Sequence, residues 1–96
     1  MTTKTLPDYI SETAEGYKVT LNKPIDVDGA KVFEVNIREP NILDMMAGEM
    51  QAKGQGEIAK EVIVFANLCD LSPESIKLAK LRDYQRIQEA FGLFTD

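Results

Sequence analysis

Ninety-six residues with 44% apolar content suffice for one modest core and leave no length for a second domain with its own cleft. A net charge of −5, spread over both halves, disfavours nucleic acid and anionic membrane as partners, because both require a local Lys/Arg excess. One cysteine and no histidine exclude an internal disulfide framework, the Ser-His and Cys-His nucleophile pairs and a zinc site of ordinary composition.

The start, Met1–Gly16, mixes Thr, Asp and Glu with isolated Leu6, Tyr9 and Ile10. It is predicted to be a flexible tail that docks through Tyr9 and Ile10. It has no apolar run of signal-peptide length, and no stretch approaches membrane-spanning length, so a reducing, cytoplasmic setting is expected.

Two alternating runs follow. Tyr17, Val19 and Leu21 alternate with polar residues, as do Phe33, Val35 and Ile37, which is the period of half-buried strands. Asp28-Gly29 between them marks a hairpin turn. A three-residue loop, Val27-Asp28-Gly29, sets Val19 opposite Ile37 and Leu21 opposite Val35, so that the odd-numbered apolar residues share one buried face. Pro24 cannot donate to a ladder and is expected at an outward-facing edge position or a bulge.

The remainder reads as helices. Pro40 or Asn41 opens one that runs to about Met50, with Asp44 at the third position after an Asn41 cap. Gln51–Gly56, with two glycines, is a flexible loop. Glu57–Asp70 is apolar almost all the way round and should be the spine of the core; Asn67 is expected to bond a local backbone carbonyl. Ser72-Pro73 starts a short helix carrying Ile76 and Leu78. A last helix spans about Arg82–Phe91, with Gly92 loosening its final turn; the charges from Lys77 to Glu89 read as a solvated face. The expected fold class is α+β: a flexible tail over 1–16, then a single domain over 17–96, with an N-terminal β-hairpin (17–38) followed by a bundle of about four short helices (40–94).

Little here points to chemistry. Asp26-x-Asp28-Gly29 echoes a calcium loop, but Pro24 and Val35 would fall where its first and twelfth ligands belong. Gly54-x-Gly56 lacks the third glycine and the Lys-Ser/Thr ending of a phosphate loop. No cofactor or metal is implied. What stands out is soft apolar surface. Met45, Met46 and Met50 share one short helix, and Phe91 and Phe94 crowd the end. Each alone suits an ordinary core position, but adjacent Met45 and Met46 cannot face the same way, and Phe94 lies beyond a helix-loosening glycine. These five residues are the candidate partner-binding set, since methionine-rich surface adapts to varied hydrophobic helices. The same surface leaves self-association open.

The succession of motifs resembles the Mu-like phage tail assembly chaperone family from Tyr17 to about Phe94. It comprises Val19-x-Leu21, Pro24-Ile25-x-Val27-x-Gly29, Arg38-Glu39-Pro40 with Asp44, Leu68-Cys69-Asp70-Leu71-Ser72-Pro73-Glu74-Ser75-Ile76, Leu81-Arg82-Asp83-Tyr84, and the aromatic close at Phe91 and Phe94. The resemblance implies a phage or prophage protein that binds the tape measure protein in the host cell cytoplasm, keeps its hydrophobic helices soluble and does no chemistry. A small regulatory binder, such as an antitoxin or a host-enzyme inhibitor, is the alternative; a carboxylate-dependent enzyme stands behind it.

Overall fold

The structure, a computed structural model, describes residues 5–95. Three strands come first: β1 (Ile10–Glu12), β2 (Gly16–Val27) and β3 (Ala30–Arg38). Four helices follow: α1 (Ile42–Gln51), α2 (Glu57–Cys69), α3 (Pro73–Lys77) and α4 (Leu81–Gly92), closed by a 3₁₀ turn over Leu93–Thr95. The architecture is α+β, as the alternating and helical patterns predict, with an antiparallel sheet in the order β1-β2-β3.

The sheet has one strand more than expected. Ile10 pairs with Val19 and Glu12 with Tyr17, and Ile10 is buried in the core, so the predicted tail supplies an edge strand. Residues 1–4 of that stretch lie outside the described residues. Three residues with a single apolar side chain are too short to show a period of two, and only Val19 across the ladder makes them a strand.

The hairpin also differs in turn and register. Its loop is the two residues Asp28 (φ 52°) and Gly29 (φ 84°), both in the positive-φ region that a type I′ turn requires. Ile25 therefore pairs with Val32 and Val27 with Ala30. A shift of register between Thr20 and Ile25 then sets Val19 opposite Val35 and Tyr17 opposite Ile37. The expected pairs, Val19 with Ile37 and Leu21 with Val35, do not form. Their rationale survives, because Val19, Leu21, Ile25, Val35 and Ile37 are all buried on one face. The irregular stretch changes the pairing parity that the turn imposes. Pro24 sits within it, exposed.

One side chain holds that bulge. Asp83 of α4 accepts from the backbone N–H of Asn22 through Oδ1 at 2.7 Å and from that of Lys23 through Oδ2 at 2.9 Å. Its relative exposure is 0%, so it does not belong to a solvated helix face. One turn on, Arg86 donates to the Thr20 carbonyl at 2.8 Å and lies 4.2 Å from the centre of the Tyr9 ring. The Tyr9 hydroxyl in turn donates to Glu89. α4 thus clamps both β2 and the segment leading into β1.

The buried face of the sheet meets Val64, Phe65, Leu68 and Cys69 of α2 and Ile87 and Ala90 of α4 in one core. Val62 and Ala66, on another side of α2, pack with Ile76 of α3. Two packing partners explain why the second half of α2 is apolar all round. Asp70, left-handed at φ 57°, ends α2. Ser72 then caps α3 with Pro73 at its start, as read from the sequence. Burial pushes the Cys69 thiol up to about 12; it behaves as a small hydrophobe. Asn67 does not bond a local carbonyl and instead donates to Gln51 Oε1 at 2.9 Å.

α1 begins with a reciprocal capping box between Asn41 and Asp44. Asp44 also takes a two-pronged bond from Arg38, at 2.8 and 2.7 Å. The guanidinium, followed by the Asn41 N–H, lowers the Asp44 carboxyl to about 2.

Two outcomes follow from these contacts. Asp83→Ala leaves two backbone donors without their acceptor and should cost about 3 kcal/mol. Asp83→Asn should cost less but still lower the denaturation midpoint, because its NH₂ would meet an N–H donor; an unchanged midpoint for Asp83→Asn would show the contact to be dispensable. Asp44 has a folded-state pKa below its ordinary 3.8, so its contribution is present above that value and lost as pH falls toward 2. With allowance for solvent at Arg38, the loss should be about 1 kcal/mol. Urea midpoints at pH 5 and pH 2 should differ less for Arg38→Met than for wild type, and equal differences would contradict the assignment.

Candidate functional site

α1 packs on α2 at close range through Gly48. A Cβ at position 48 would stand 2.5 Å from Val64 Cγ2, so glycine lets the two backbones approach. Met45 packs against the core from the same helix and Ala52 is buried just past its end. The far side of α1 is apolar as well. Ile42 (74%), Leu43 (72%), Met46 (59%) and Met50 (80%) are exposed to solvent. Ile42, Met46 and Met50 recur every four residues and form a stripe down the helix.

The helix carrying this stripe is fixed at both ends. Arg38 holds Asp44 in the first turn. Near the C-terminal end, Lys60 of α2 pairs with Glu49, and Asn67 bonds Gln51.

Beside α1, a groove of about 380 Å³ runs between α1, α2 and α4. Met45, Ile58 and Phe91 line it over the buried Val64 and Phe65, and Glu57 and Glu61 add acidic groups. Ile58 is 78% exposed.

The five candidate residues are distributed unevenly over these features. Met46 and Met50 lie on the exposed stripe. Met45 and Phe91 are half-buried and line the groove together. The Phe91 ring also stands 5.2 Å from that of Phe65. Phe94 is elsewhere, half-buried in the 3₁₀ turn with its ring 5.1 Å from Tyr17. Leu93 and Phe94 therefore fold back onto the core and the sheet. Ile42, Leu43 and Ile58 were not in the candidate set. The signal that could have found the first two is the four-residue spacing of Ile42, Met46 and Met50, with Gly48 marking the side that must face α2.

Among the described residues, no group of three or more His, Cys, Asp or Glu side chains could hold a metal ion, and no helix is long and apolar enough to cross a membrane. A depression of about 810 Å³ lies where the β1–β2 loop and the end of β3 meet the end of α2. It brings Arg38 and Asp70 together without a nucleophile and base in contact.

The small sheet-and-helix scaffold thus presents an unpaired apolar helix face, the kind of patch at which interaction sites occur. The family of phage tail assembly chaperone proteins, described as E, or 41 or 14, matches residues 18–96. The chain belongs to this family of tail assembly chaperones. Comparison with curated proteins and with solved structures finds no match.

Exposure separates the candidates by stability. Met46→Glu and Met50→Glu should change folding free energy by no more than about 0.5 kcal/mol, as surface substitutions do, whereas Phe91→Glu should cost several times that. Thermal melting distinguishes the two groups, and a methionine variant as damaged as Phe91→Glu would place that methionine inside the core.

Proposed function

We propose that this chain binds hydrophobic helical segments of the tape measure protein and keeps them soluble during tail assembly, in the host cytoplasm and without catalysis. The observation that carries this reading is the exposed stripe of Ile42, Met46 and Met50 on α1, in a member of the tail assembly chaperone family. Leu43 and the groove residues Met45, Ile58 and Phe91 extend the apolar surface. Phe94, seated on Tyr17, is assigned a supporting role at the closed end of the fold.

The physics of the face suits a transient client. Unbranched methionine follows different side-chain shapes at little conformational cost. A ten-residue helix spans only about 15 Å, and a stable interface usually covers roughly 800 Å² per partner, so the stripe alone supports modest affinity and ready release. The net charge of −5 keeps a loaded complex apart from its neighbours. The lone, unpaired Cys69 suits a reducing compartment.

Co-expression of the tape measure protein of the same phage tests the reading. Wild type should raise its soluble yield several-fold, and a folded Met46→Glu, Met50→Glu double variant should lose most of that gain. No gain with wild type would refute the chaperone reading. A double variant as effective as wild type would move the contact surface away from α1.

A further inference from the structure

We infer that the α1 face and its groove select an amphipathic helix whose apolar stripe is flanked by lysine or arginine, with one large apolar side chain seated in the groove. This rests on the reading that the face binds a helical client, and adds the chemistry by which a client is chosen.

The groove is apolar beneath, and its border carries Glu57 and Glu61 together with Lys60, whose charge is taken by Glu49. Its volume of about 380 Å³ leaves room for one large apolar side chain. Val64 and Phe65 underlie it, and Met45, Ile58 and Phe91 give it apolar walls.

The charges around it do not cancel. Between Ile42 and Cys69 the acids are Asp44, Glu49, Glu57 and Glu61, against Lys53 and Lys60. Asp44 is satisfied by Arg38, and Glu49 and Lys60 pair with each other. Glu57 and Glu61, both on the groove, make no ion pair among the described residues. Glu61 is held by the Tyr84 hydroxyl at 2.6 Å and Gln88 Nε2 at 2.8 Å, both on Oε1, so its second oxygen keeps its acceptor capacity. An apolar seat with carboxylates beside it, one of them fixed, favours a partner with cationic flanks and rejects one with anionic flanks.

The same charges disfavour a second copy of this chain as the occupant. A symmetric pairing of the α1 faces and their grooves would bring Glu57 of both chains, which no lysine or arginine pairs among the described residues, toward one interface, between molecules that each carry −5. Like charges so placed are costly.

The test uses the full chain and two synthetic helical peptides with identical leucine and phenylalanine positions, one flanked by lysine and the other by glutamate. Fluorescence anisotropy at low salt should show the lysine peptide binding at least about tenfold more tightly. The gap should narrow as ionic strength rises from about 0.05 to 0.5 M. Glu57→Lys, exposed and outside the core, should stay folded, melting within a few degrees of wild type because it reverses a charge in the first turn of α2, and should lose most of the preference. Equal affinities, a preference for the glutamate peptide, no binding of either, or an undiminished preference in Glu57→Lys would each overturn the inference. So would sedimentation showing a dimer that neither peptide dissociates. A chain that raises tape measure solubility without discriminating the peptides overturns this inference alone. A chain that discriminates them but fails in co-expression overturns the assignment of the client and leaves the selectivity standing.

Discussion

Two backbone N–H groups in β2 have lost their ladder partners, and a carboxylate from the far end of the chain supplies the replacement. Asn22 and Lys23 lie in the irregular stretch between Thr20 and Ile25, and Asp83 meets them from 61 and 60 residues away. A buried carboxylate without such donors would be very costly, and so would the unpaired N–H groups. Each therefore stabilises the other. The consequences spread outward. The bulge lets Leu21 and Ile25 share the core face with Val19 despite the parity that the Asp28-Gly29 turn imposes. Asp83 also fixes the start of α4, which places Arg86 against the Thr20 carbonyl and the Tyr9 ring. β1, too short to hold by its own three residues, is secured from the same helix.

This arrangement leaves α1 as the outlying element. The sheet face is covered by α2 and α4, and α3 takes another side of α2. Among the described residues α1 packs chiefly against α2, and Gly48 makes that contact a close approach of backbones over a narrow strip. A helix seated on a narrow strip leaves much of its circumference in water. In a monomeric domain that circumference would ordinarily be polar. Here it carries Ile42, Leu43, Met46 and Met50. The exposed face is thus a departure from the chain's own folding requirements, which is where function is to be sought.

Much of this was legible in the sequence, where the signal is local. Alternation gave the two long strands and their buried parity. Asn41 with Asp44, and Ser72 with Pro73, marked helix starts that the structure reproduces. The apolar density of Glu57–Asp70 identified the spine, although Ile58 near its start is exposed. Distant contacts were illegible. Nothing near Thr20–Ile25 announces that Asp83 will cap it, so the turn and the register came out differently from expectation. Asp83 among Arg82 and Arg86 looks like any exposed helix acid, and Asn67 looks like a residue bonding its own helix. The methionines were recognised as excess apolar surface without any indication of which pointed inward. That depends on Gly48, whose small size signals a contact only once Val64 is known to be opposite it.

How firmly α1 is held bears on how it would work. The Arg38–Asp44 pair and the capping box fix its first turn, while Glu49 and Gln51 are tied to Lys60 and Asn67 of α2. Individually, exposed ion pairs contribute little. Placed at both ends of a ten-residue helix, they oppose the fraying that would otherwise dominate so short a segment. The stripe is therefore presented ready-made, and a client would not have to meet the entropic cost of ordering it. Adaptability then resides in the methionine side chains and not in the backbone. A rigid helix with soft side chains can accept successive segments of a long protein that share hydrophobic character but not sequence. On the proposed reading, its small area would keep each contact weak enough to be surrendered when a larger, more permanent interface competes for the same helix.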